Sequence, residues 1–414
     1  MEKTANRSFL AIDLKSFFAV CECLERNLDP FTTPLIVANP SQKGGAMTLA
    51  ITPYLKAQGL SSRMRVYLIP KNIKYLTASP HMSLYERKSR EVIKVYHEFV
   101  APEDMHVYSI DEVFIDVTNY LALYKKSALE LAIVILEQIK LKTGLTAVCG
   151  IGPNIFLAKI AMDTEAKKNP NNIACWQQAD IPTKLWPITP LTKIWGIGFN
   201  LAKRLNNLGI NSVFELAHYD PLKLKTKLGT MGFELWQHVY GIDNSLISDW
   251  QKAPKNSSYS HSQVLYKDYY SHNIKIIINE MVDTLATKLR NNHKQGFIIG
   301  FGIGYAKEIK GGFFHYLKLD QPTADQKIIL QHCLNIFDSY YQDLPIRKVY
   351  LTVSNLITNN YLQLNLFTDE KTISNNQKID LTIDQINHKY GLNCLLKASS
   401  LLDDSTIKAR NQKI

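Results

Sequence analysis

The sequence MHVYSIDEVFID, at Met105–Asp116, consists of two apolar half-strands interrupted by Ser109, Asp111 and Glu112. The apolar residues alternate with a period of two on both sides of the interruption, which is typical of two paired strands. We therefore predict a β-hairpin whose turn lies at Ile110–Glu112. Two carboxylates would then lie together at one end of this hairpin.

A third carboxylate ends another apolar run, FLAIDL at Phe9–Leu14, which is predicted to be a short buried strand. An acidic side chain in an apolar strand is costly unless a cation or a partner compensates its charge. If these strands are neighbours, Asp13, Asp111 and Glu112 converge with no basic residue between them. An oxygen-only site suits Mg²⁺ that carries substrate phosphates, and two ions about 3.5–4 Å apart would support an in-line displacement at a phosphate. The alternative is structural: the hairpin acids form only a turn, and Asp13 caps a helix.

The order of the other elements predicts several domains. Strand, helix, hairpin, helix and strand signals follow one another up to about residue 167, which favours an α+β domain with helices on one face of an antiparallel sheet. Residues 182–241 carry only helical signals broken by glycines. Period-2 alternation returns near Phe297–Tyr305, Phe313–Leu319 and Val349–Ser354, in the order of a second α+β domain. The last fifty or so residues are polar, and we expect them to be weakly structured.

The composition of the 414 residues is that of a globular protein, with 46% hydrophobic and 21% charged residues. Lys and Arg number 48 and Asp and Glu 37, so the net charge is +11. This excess attracts polyanions such as nucleic acid, although many soluble proteins are basic for no specific reason. The most apolar stretch, Gly296–Tyr305, is shorter than the ~20 residues of a spanning helix. Six scattered cysteines indicate free thiols, so we expect a cytoplasmic protein without a membrane partner.

Basic side chains flank the predicted carboxylate site. Lys56, Arg63, Lys159 and Lys167 lie on the neighbouring segments of the sequence. Such residues could pair with substrate phosphates, but lysine and arginine on surface helices are usually solvated, so each one alone is weak evidence.

A second motif, IWGIGFNLAKRLNNLG at Ile194–Gly209, is typical of a helix–hairpin–helix. Gly196 and Gly198 would let backbone N–H groups approach a phosphodiester oxygen, and Lys203 lies on the helix that follows. Contacts of this kind position a duplex without reading its bases. An ordinary turn between two helices is the alternative.

A third motif, QLNLF at Gln363–Phe367, lies in the polar C-terminal region. Exposed Leu364, Leu366 and Phe367 are unfavourable in water unless a groove receives them, which favours a docking peptide. The alternative is a strand packed on the last domain.

Together these motifs resemble the Y-family of translesion DNA polymerases, and within it the UmuC-like branch. The resemblance covers about residues 8–370. Its most specific blocks are IDLKSFFAVCE, YSIDEVFID and GIGPNIFLAKIA. The WGIG hairpin resembles the family thumb, and QLNLF resembles the sliding-clamp peptide of bacterial polymerases.

The resemblance implies a role for each of these residues. Two Mg²⁺ ions would be bound by Asp13, the Leu14 carbonyl, Asp111 and Glu112, with Asp111 and Glu112 as the catalytic acids. Phe18 would be the steric gate that excludes ribonucleotides. The remaining roles are triphosphate binding by Phe17, Lys56 and Lys167, DNA binding by Gly196, Gly198 and Lys203, and clamp binding by Gln363, Leu364, Leu366 and Phe367.

The implied fold is α+β, a right hand with a ferredoxin-like palm, small fingers, a helical thumb with a helix–hairpin–helix, and an α+β little finger. The implied boundaries are residues 1–16 and 84–175 for the palm, 17–83 for the fingers, 176–243 for the thumb, 244–253 for a linker, 254–360 for the little finger and 361–414 for a C-terminal tail that contains the clamp peptide.

The implied activity is low-fidelity synthesis past damaged bases by a monomeric DNA-directed DNA polymerase without a proofreading exonuclease. Its substrates would be primer–template DNA and deoxynucleoside triphosphates, and the bacterial sliding clamp would tether it. A non-catalytic DNA-binding scaffold and a nucleotide cyclase are the rival functions. The sequence departs from the family at Lys15, where many members have an acid, at Pro53, where a tyrosine is usual, and before Lys167, where one residue is inserted.

Overall fold

The computed structural model describes residues 7–40, 45–252, 257–358 and 370–411, and in the last range the side chains from residue 378 onward. The chain divides into two compact units, Met1–Lys252 and Ala253–Ile414. Within the described residues, no helix is long and apolar enough to cross a membrane.

The strands lie in three sheets, and the bounds of each strand follow in chain order. They are β1 (Phe9–Leu14), β2 (Leu35–Val37), β3 (Ala50–Ile51), β4 (Leu76–Ala78), β5 (Met105–Val107), β6 (Glu112–Asp116), β7 (Ala147–Gly152), β8 (Ile173–Cys175), β9 (Ser258–Tyr269), β10 (Lys294–Tyr305), β11 (Gly312–Thr323) and β12 (Ile346–Thr358).

The longest α-helices are two helices of the second unit, and the bounds of all the α-helices follow in chain order. They are α1 (Phe17–Glu25), α2 (Pro53–Ala57), α3 (Met82–Tyr96), α4 (Tyr120–Tyr124), α5 (Ala128–Thr143), α6 (Ile155–Ala161), α7 (Phe199–Asn206), α8 (Val213–Ala217), α9 (Pro221–Leu228), α10 (Thr230–Val239), α11 (Ile247–Gln251), α12 (Ser271–Asn291), α13 (Gln326–Tyr340), α14 (Glu370–Tyr390) and α15 (Ile407–Asn411).

The palm sheet has the strand order β5-β6-β1-β7-β8. Its neighbours are antiparallel except for β7 and β8, which are parallel. The predicted hairpin is therefore present as β5 and β6, but its turn lies one position earlier than expected. Glu112 is the first residue of β6 rather than the last residue of the turn.

Helices cover both faces of the palm sheet, so the prediction that they cover one face is wrong. Phe9 and Ala11 face the core that includes α6, whereas Leu10 and Ile12 face the core that includes α3 and α5. The FLAI run is continuously apolar because both sides of β1 are buried, which is the pattern of a strand between two layers. Helix α1 also contributes to this second core, although the expected fingers begin at residue 17.

The fingers contain a small sheet of order β3-β2-β4 with its own core around Ile36, Ile51 and Leu55. The thumb consists of α7 to α10, and its core is continuous with that of α6. The Asn154 side chain at the start of α6 donates a 2.7 Å hydrogen bond to the Gly241 carbonyl at the end of the thumb.

The expected linker, 244–253, is partly ordered as helix α11 within the first unit. Trp250 of this helix packs on Phe114 of β6, with ring centroids 5.6 Å apart. The polar composition of these residues suggested a linker, but Ile247 of this helix is buried.

The second unit contains a four-stranded antiparallel sheet of order β11-β10-β12-β9. Helices α12 and α13 pack on one face, with Ile277 and Phe337 in the shared core. Tyr266 and Tyr316 are exposed on the strands at the two edges of the sheet.

The C-terminal region is more structured than its polar composition suggested, because it contains α14 and α15. Arg290 of α12 forms ion pairs with Asp380 at 3.2 Å and Asp384 at 2.6 Å on α14. The buried Glu280 accepts hydrogen bonds from Ser405 and Thr406. These contacts place the last residues on the second unit rather than in a free tail.

Candidate active site

Two of the predicted acids meet on the palm face that α6 covers. Alternation along β1 puts Asp13 on the same side as Phe9 and Ala11, and the antiparallel register places Asp13 directly opposite Glu112. Like charges directly opposite each other weaken a sheet. This pair therefore needs compensating positive charge.

Two lysines supply part of that charge. Lys159 Nζ lies 2.7 Å from Glu112 Oε1, and Lys167 Nζ lies 3.2 Å from Asp13 Oδ2. The Lys159 side chain is only 7% exposed and the Glu112 side chain 9%. A pair buried to this degree interacts more strongly than a solvated one, since water screens it less.

Helix α6 can bring these lysines to the sheet because β7 has no side chain where the helix crosses it. A Cβ atom on Gly150 would lie 2.0 Å from the Ala158 carbonyl oxygen, so only glycine permits this approach. The Asn154 side chain caps the helix by accepting a 2.8 Å hydrogen bond from the Leu157 N–H.

A π-helix, Met162–Ala166, follows α6 and carries the chain to Lys167. The Lys167 N–H donates to the Met162 carbonyl at 3.1 Å, a bond that spans five residues rather than four. A π-turn accommodates one more residue than an α-turn. The π-turn leaves the Lys167 ammonium within reach of Asp13.

Asp163 joins the two lysines into one charged network, and the sequence analysis missed it. Its carboxylate lies 3.0 Å from Lys159 Nζ and 2.9 Å from Lys167 Nζ. The spacing of four residues on either side was the available signal, because such residues share a helix face.

Asp111 is attached to the same edge of the sheet. The Leu14 N–H donates a 2.9 Å hydrogen bond to the Asp111 carbonyl, and Ser109 Oγ donates a 2.7 Å hydrogen bond to Asp111 Oδ1. These bonds fix the backbone of the hairpin end next to Asp13. The structure therefore brings the three predicted acids to one edge of the palm.

The lysines do not fully compensate the burial of the carboxylates. Burial raises the pKa of Asp13 despite the attraction of Lys167, and Asp111 raises it further. Burial also raises the pKa of Glu112, although Lys159 opposes this effect. Burial disfavours the charged form of Lys167, but Asp13 and Asp163 outweigh it and raise the pKa of that ammonium. The site therefore favours additional positive charge.

The donors fit a hard divalent cation because they are carboxylate oxygens without sulfur or imidazole. Among the side chains that the structure describes, however, no three acids, histidines or cysteines are close enough together to hold an ion. The side chains of Asp13 and Glu112 point to lysines, and that of Asp111 points to Ser109. Ion binding therefore requires these side chains to exchange partners.

The predicted steric gate lies at the start of α1. The Phe18 ring stacks on Tyr85 at a centroid distance of 4.4 Å, and the Tyr85 hydroxyl donates a 2.6 Å hydrogen bond to the buried Glu22. Phe17 as a whole is 3% exposed, so its side chain is not available to a triphosphate. Ser16, before the helix, has a φ of 50°, a strained conformation for a residue other than glycine.

The other basic residues differ in their distance from the site. Burial lowers the pKa of Lys56 while Asp13 opposes this effect, so the two charges are close enough to interact. Lys15 contacts the Asn172 side chain, and burial lowers its pKa. Arg63 is exposed on the fingers. Tyr54 is half-buried against the fingers core.

The thumb hairpin is open where the sequence predicts DNA contacts. Gly196 has a φ of 89°, and a Cβ atom on Gly196 or Gly198 would meet no heavy atom within 4 Å. Lys203 is exposed on α7. The predicted clamp residues, Gln363–Phe367, lie outside the described residues, between the end of β12 and the start of α14.

Comparisons with known proteins agree with this architecture. The impB/mucB/samB family matches residues 12–163, the C-terminal domain of that family matches residues 256–366, and the HHH motif of the IMS family matches residues 179–210. The last match confirms the predicted helix–hairpin–helix of the thumb.

The relatives match along almost the whole chain. UvrX of Bacillus subtilis (strain 168), named for UV-damage repair, is 35% identical over 98% of this chain and 96% of its own. The protein named DNA polymerase IV 2 of the same organism is 29% identical over 94% of this chain and 93% of its own. A solved chimera of the Y-family DNA polymerases Dbh and Dpo4 aligns with a TM-score of 0.67 over 85% of this chain and 100% of its own, at 20% identity.

The fold is thus that of a Y-family DNA polymerase, as the sequence motifs predicted. The chain belongs to the impB/mucB/samB family of translesion DNA polymerases.

Proposed function

We propose that this protein is a DNA-directed DNA polymerase that copies past damaged template bases by two-metal nucleotidyl transfer. The observation that carries the proposal is the direct opposition of Asp13 and Glu112 on a buried face, with Asp111 beside them. A purely structural role does not explain this arrangement, because like charges in that position weaken the sheet. The names of the relatives, a DNA polymerase IV and a UV-damage repair protein, support the same activity.

Asp13, Asp111, Glu112 and the Leu14 carbonyl would hold two Mg²⁺ ions. When bound, the ions would activate the primer 3′-hydroxyl and stabilise the leaving pyrophosphate. Lys159 and Lys167 have to release the carboxylates for this to happen. Both ammonium groups then remain beside the site.

The released lysines suit a triphosphate, which carries several negative charges. Lys167 and Lys56 would bind its phosphate oxygens, and the Phe17 backbone N–H would donate to one of them. The electrostatic interaction of Lys56 with Asp13 supports this role, because it requires the Lys56 ammonium to lie near the carboxylates.

Primer extension with Asp111→Ala tests the catalytic assignment. We expect extension of a short primer to be lost, while binding of the primer–template persists. Asp116→Asn is a matched control, because Asp116 ends the strand β6 that follows Asp111 and the amide oxygen can still accept the bond from the Thr118 N–H. Undiminished extension by Asp111→Ala would refute the catalytic role of Asp111, whereas a wild-type protein that extends no primer would favour a DNA-binding scaffold.

The stacked ring of Phe18 would exclude a 2′-hydroxyl from the incoming sugar. Phe18→Ala should therefore admit ribonucleotides, measured as the ratio of ribonucleotide to deoxynucleotide incorporation. Tyr85→Phe keeps the stacked ring and should leave this ratio close to wild type. If Phe18→Ala discriminates as well as the wild type, another residue selects the sugar.

The thumb hairpin would bind the DNA backbone through Gly196, Gly198 and Lys203. Backbone N–H groups and an exposed lysine contact phosphates without reading bases, and such binding weakens steeply as salt rises. A Lys203→Ala variant should bind primer–template less tightly and with a shallower dependence on salt. Equal salt slopes for wild type and variant would remove Lys203 from the interface.

The peptide Gln363–Phe367 would tether the enzyme to the bacterial sliding clamp through Leu364, Leu366 and Phe367. Replacing Leu366 and Phe367 with alanine should abolish capture by purified clamp while extension of a short primer survives. Unchanged clamp capture would exclude this peptide as the tether.

A further inference from the structure

Three segments of the first unit meet at one group of aromatic side chains, which we call the aromatic junction. The catalytic hairpin contributes His106, Tyr108 and Phe114, the thumb contributes Trp195, and α11 contributes Trp250. The site described above uses none of these five residues. They are distant in sequence, so their contact is a product of the tertiary fold.

The contact between the thumb and the hairpin consists of ring packing and one hydrogen bond. Trp195 Nε1 donates to the Tyr108 hydroxyl at 3.3 Å, and the two rings meet edge to face with centroids 6.0 Å apart. Trp195 also packs on Phe114 at 5.7 Å, and Phe114 is fully buried. Such offset and edge-to-face geometries are the favourable ones for aromatic pairs.

On the palm side, Tyr108 lies between the end of β5 and the catalytic acids. Its N–H donates a 3.0 Å hydrogen bond to the Glu112 carbonyl, and the next residue, Ser109, holds the Asp111 carboxylate. A displacement of the Tyr108 ring would therefore move the backbone that carries Asp111 and Glu112.

On the thumb side, Trp195 directly precedes the Gly196–Gly198 turn that faces the open surface. Ile194 and Ile197, which flank Trp195 and Gly196, are each 3% exposed in the thumb core. These buried side chains fix the turn on the thumb core. A displacement of its glycines therefore also moves Trp195.

We propose that Trp195 is a positioning residue that couples DNA bound at the thumb hairpin to the placement of the catalytic acids through Tyr108. The inference rests on the proposed polymerase activity. Trp195 contacts neither nucleotide nor metal in this account. It acts by holding the hairpin in the geometry that the reaction needs, so its loss should slow the chemical step more than it weakens substrate binding.

Single-turnover incorporation of one correct nucleotide on a primer–template separates these effects. We expect Trp195→Ala and Tyr108→Ala each to lower the maximal rate about fivefold, as for the loss of one aromatic pair, with the affinities for DNA and nucleotide within about twofold of wild type. If the two side chains act independently, the double variant should lose about 25-fold in maximal rate. If they act through their mutual contact, its maximal rate should be close to that of either single variant. Trp195→Phe keeps a ring and should restore most of the rate.

Phe214→Ala is the control for a general loosening of the thumb. Phe214 is 53% exposed and packs on Trp186 and His218, away from the hairpin. The inference is overturned if Trp195→Ala incorporates at the wild-type rate, if the single effects multiply, or if Phe214→Ala shows the same loss. Tyr108 is 46% exposed, so Tyr108→Ala remains a test if Trp195→Ala fails to fold. A wild-type protein that does not extend primers would overturn the proposed function as well.

Discussion

Glu112 in the first unit and Glu280 in the second unit both have largely buried side chains but opposite surroundings. Glu280 on α12 is 1% exposed and accepts hydrogen bonds from Ser405 Oγ at 2.5 Å and from the N–H and Oγ1 of Thr406, with Arg410 3.6 Å away. Glu112 in the palm pairs with Lys159 and directly faces another carboxylate across the strand.

The difference separates a structural charge from a functional one. A buried carboxylate with its hydrogen-bonding capacity satisfied fixes one segment on another, and its removal lowers stability. A buried carboxylate that faces another carboxylate instead destabilises the folded protein, so its removal raises stability. Such an arrangement persists in proteins where an activity requires it. The palm and the second unit should therefore respond in opposite ways when their acids are removed.

The largest contrast is expected for Asp13→Asn. Loss of a metal ligand should reduce primer extension at least about a thousandfold, because several kcal/mol of transition-state stabilisation depend on the ions. The same change should leave the unfolding free energy of the first unit unchanged or raise it, because the like-charge contact with Glu112 disappears. Activity and stability would then change in opposite directions.

Tryptophan fluorescence measures the stability of the first unit separately. All five tryptophans, Trp176, Trp186, Trp195, Trp236 and Trp250, lie before residue 253. A clear fall in the fluorescence-detected unfolding free energy of Asp13→Asn would show that Asp13 is a structural acid, and would remove the contrast between the two units.

The second prediction concerns Glu280→Ala. The donors of Ser405 and Thr406 and the Arg410 charge would lose their partner, so we expect the second unit to be destabilised by about 3 kcal/mol. The fluorescence transition of the first unit should not move, whereas the circular dichroism transition should shift to lower denaturant. Glu308→Ala is the matched control, because Glu308 is exposed and should change stability by less than about 0.5 kcal/mol. Equal effects of the two variants would mean that Glu280 does not fix the C-terminal segment.

The fold and the acids were accessible from the sequence because they depend on local patterns. The alternation around Asp111 and Glu112 predicted the hairpin, and the continuous apolar run before Asp13 predicted a buried strand. Alternation does not predict which residues face each other across two strands. The structure shows that Asp13 lies directly opposite Glu112.

Other features depend on contacts between distant residues, which local sequence patterns do not predict. Asp163 lies at helical spacing from two lysines, but the same spacing occurs on solvated helices. Trp195 and Tyr108 are separated by 87 positions. The C-terminal segment has a polar composition, and its structure depends on ion pairs with Arg290 and on the buried Glu280.

The smallest expected effect is the pH dependence of the palm. Asp13 has a raised pKa in the folded protein, so the folded state binds more protons than the unfolded state in the window above the ordinary carboxyl value near ~4. Stability must therefore fall as pH rises through this window. Without divalent ions, Asp13→Asn should be more stable than wild type at pH 7, and the gain should shrink toward pH 4 and vanish below the ordinary carboxyl pKa.

This comparison needs only denaturant titrations followed by fluorescence at the two pH values, with chelator present. Protonation of other acids affects wild type and variant alike, so the difference between them isolates residue 13. A gain that is equal at both pH values would show that ionisation of Asp13 does not cost folding free energy.

The central claim is that Asp13 of β1 and the acids of the β5–β6 hairpin, Asp111 and Glu112, together hold the ions of the reaction. Electron paramagnetic resonance can count bound Mn²⁺ on the full chain with a dideoxy-terminated primer, template and incoming nucleotide. We expect two protein-dependent Mn²⁺ sites in the wild type and the loss of at least one of them in Asp111→Ala. Equal numbers of bound ions in the two proteins would contradict this claim.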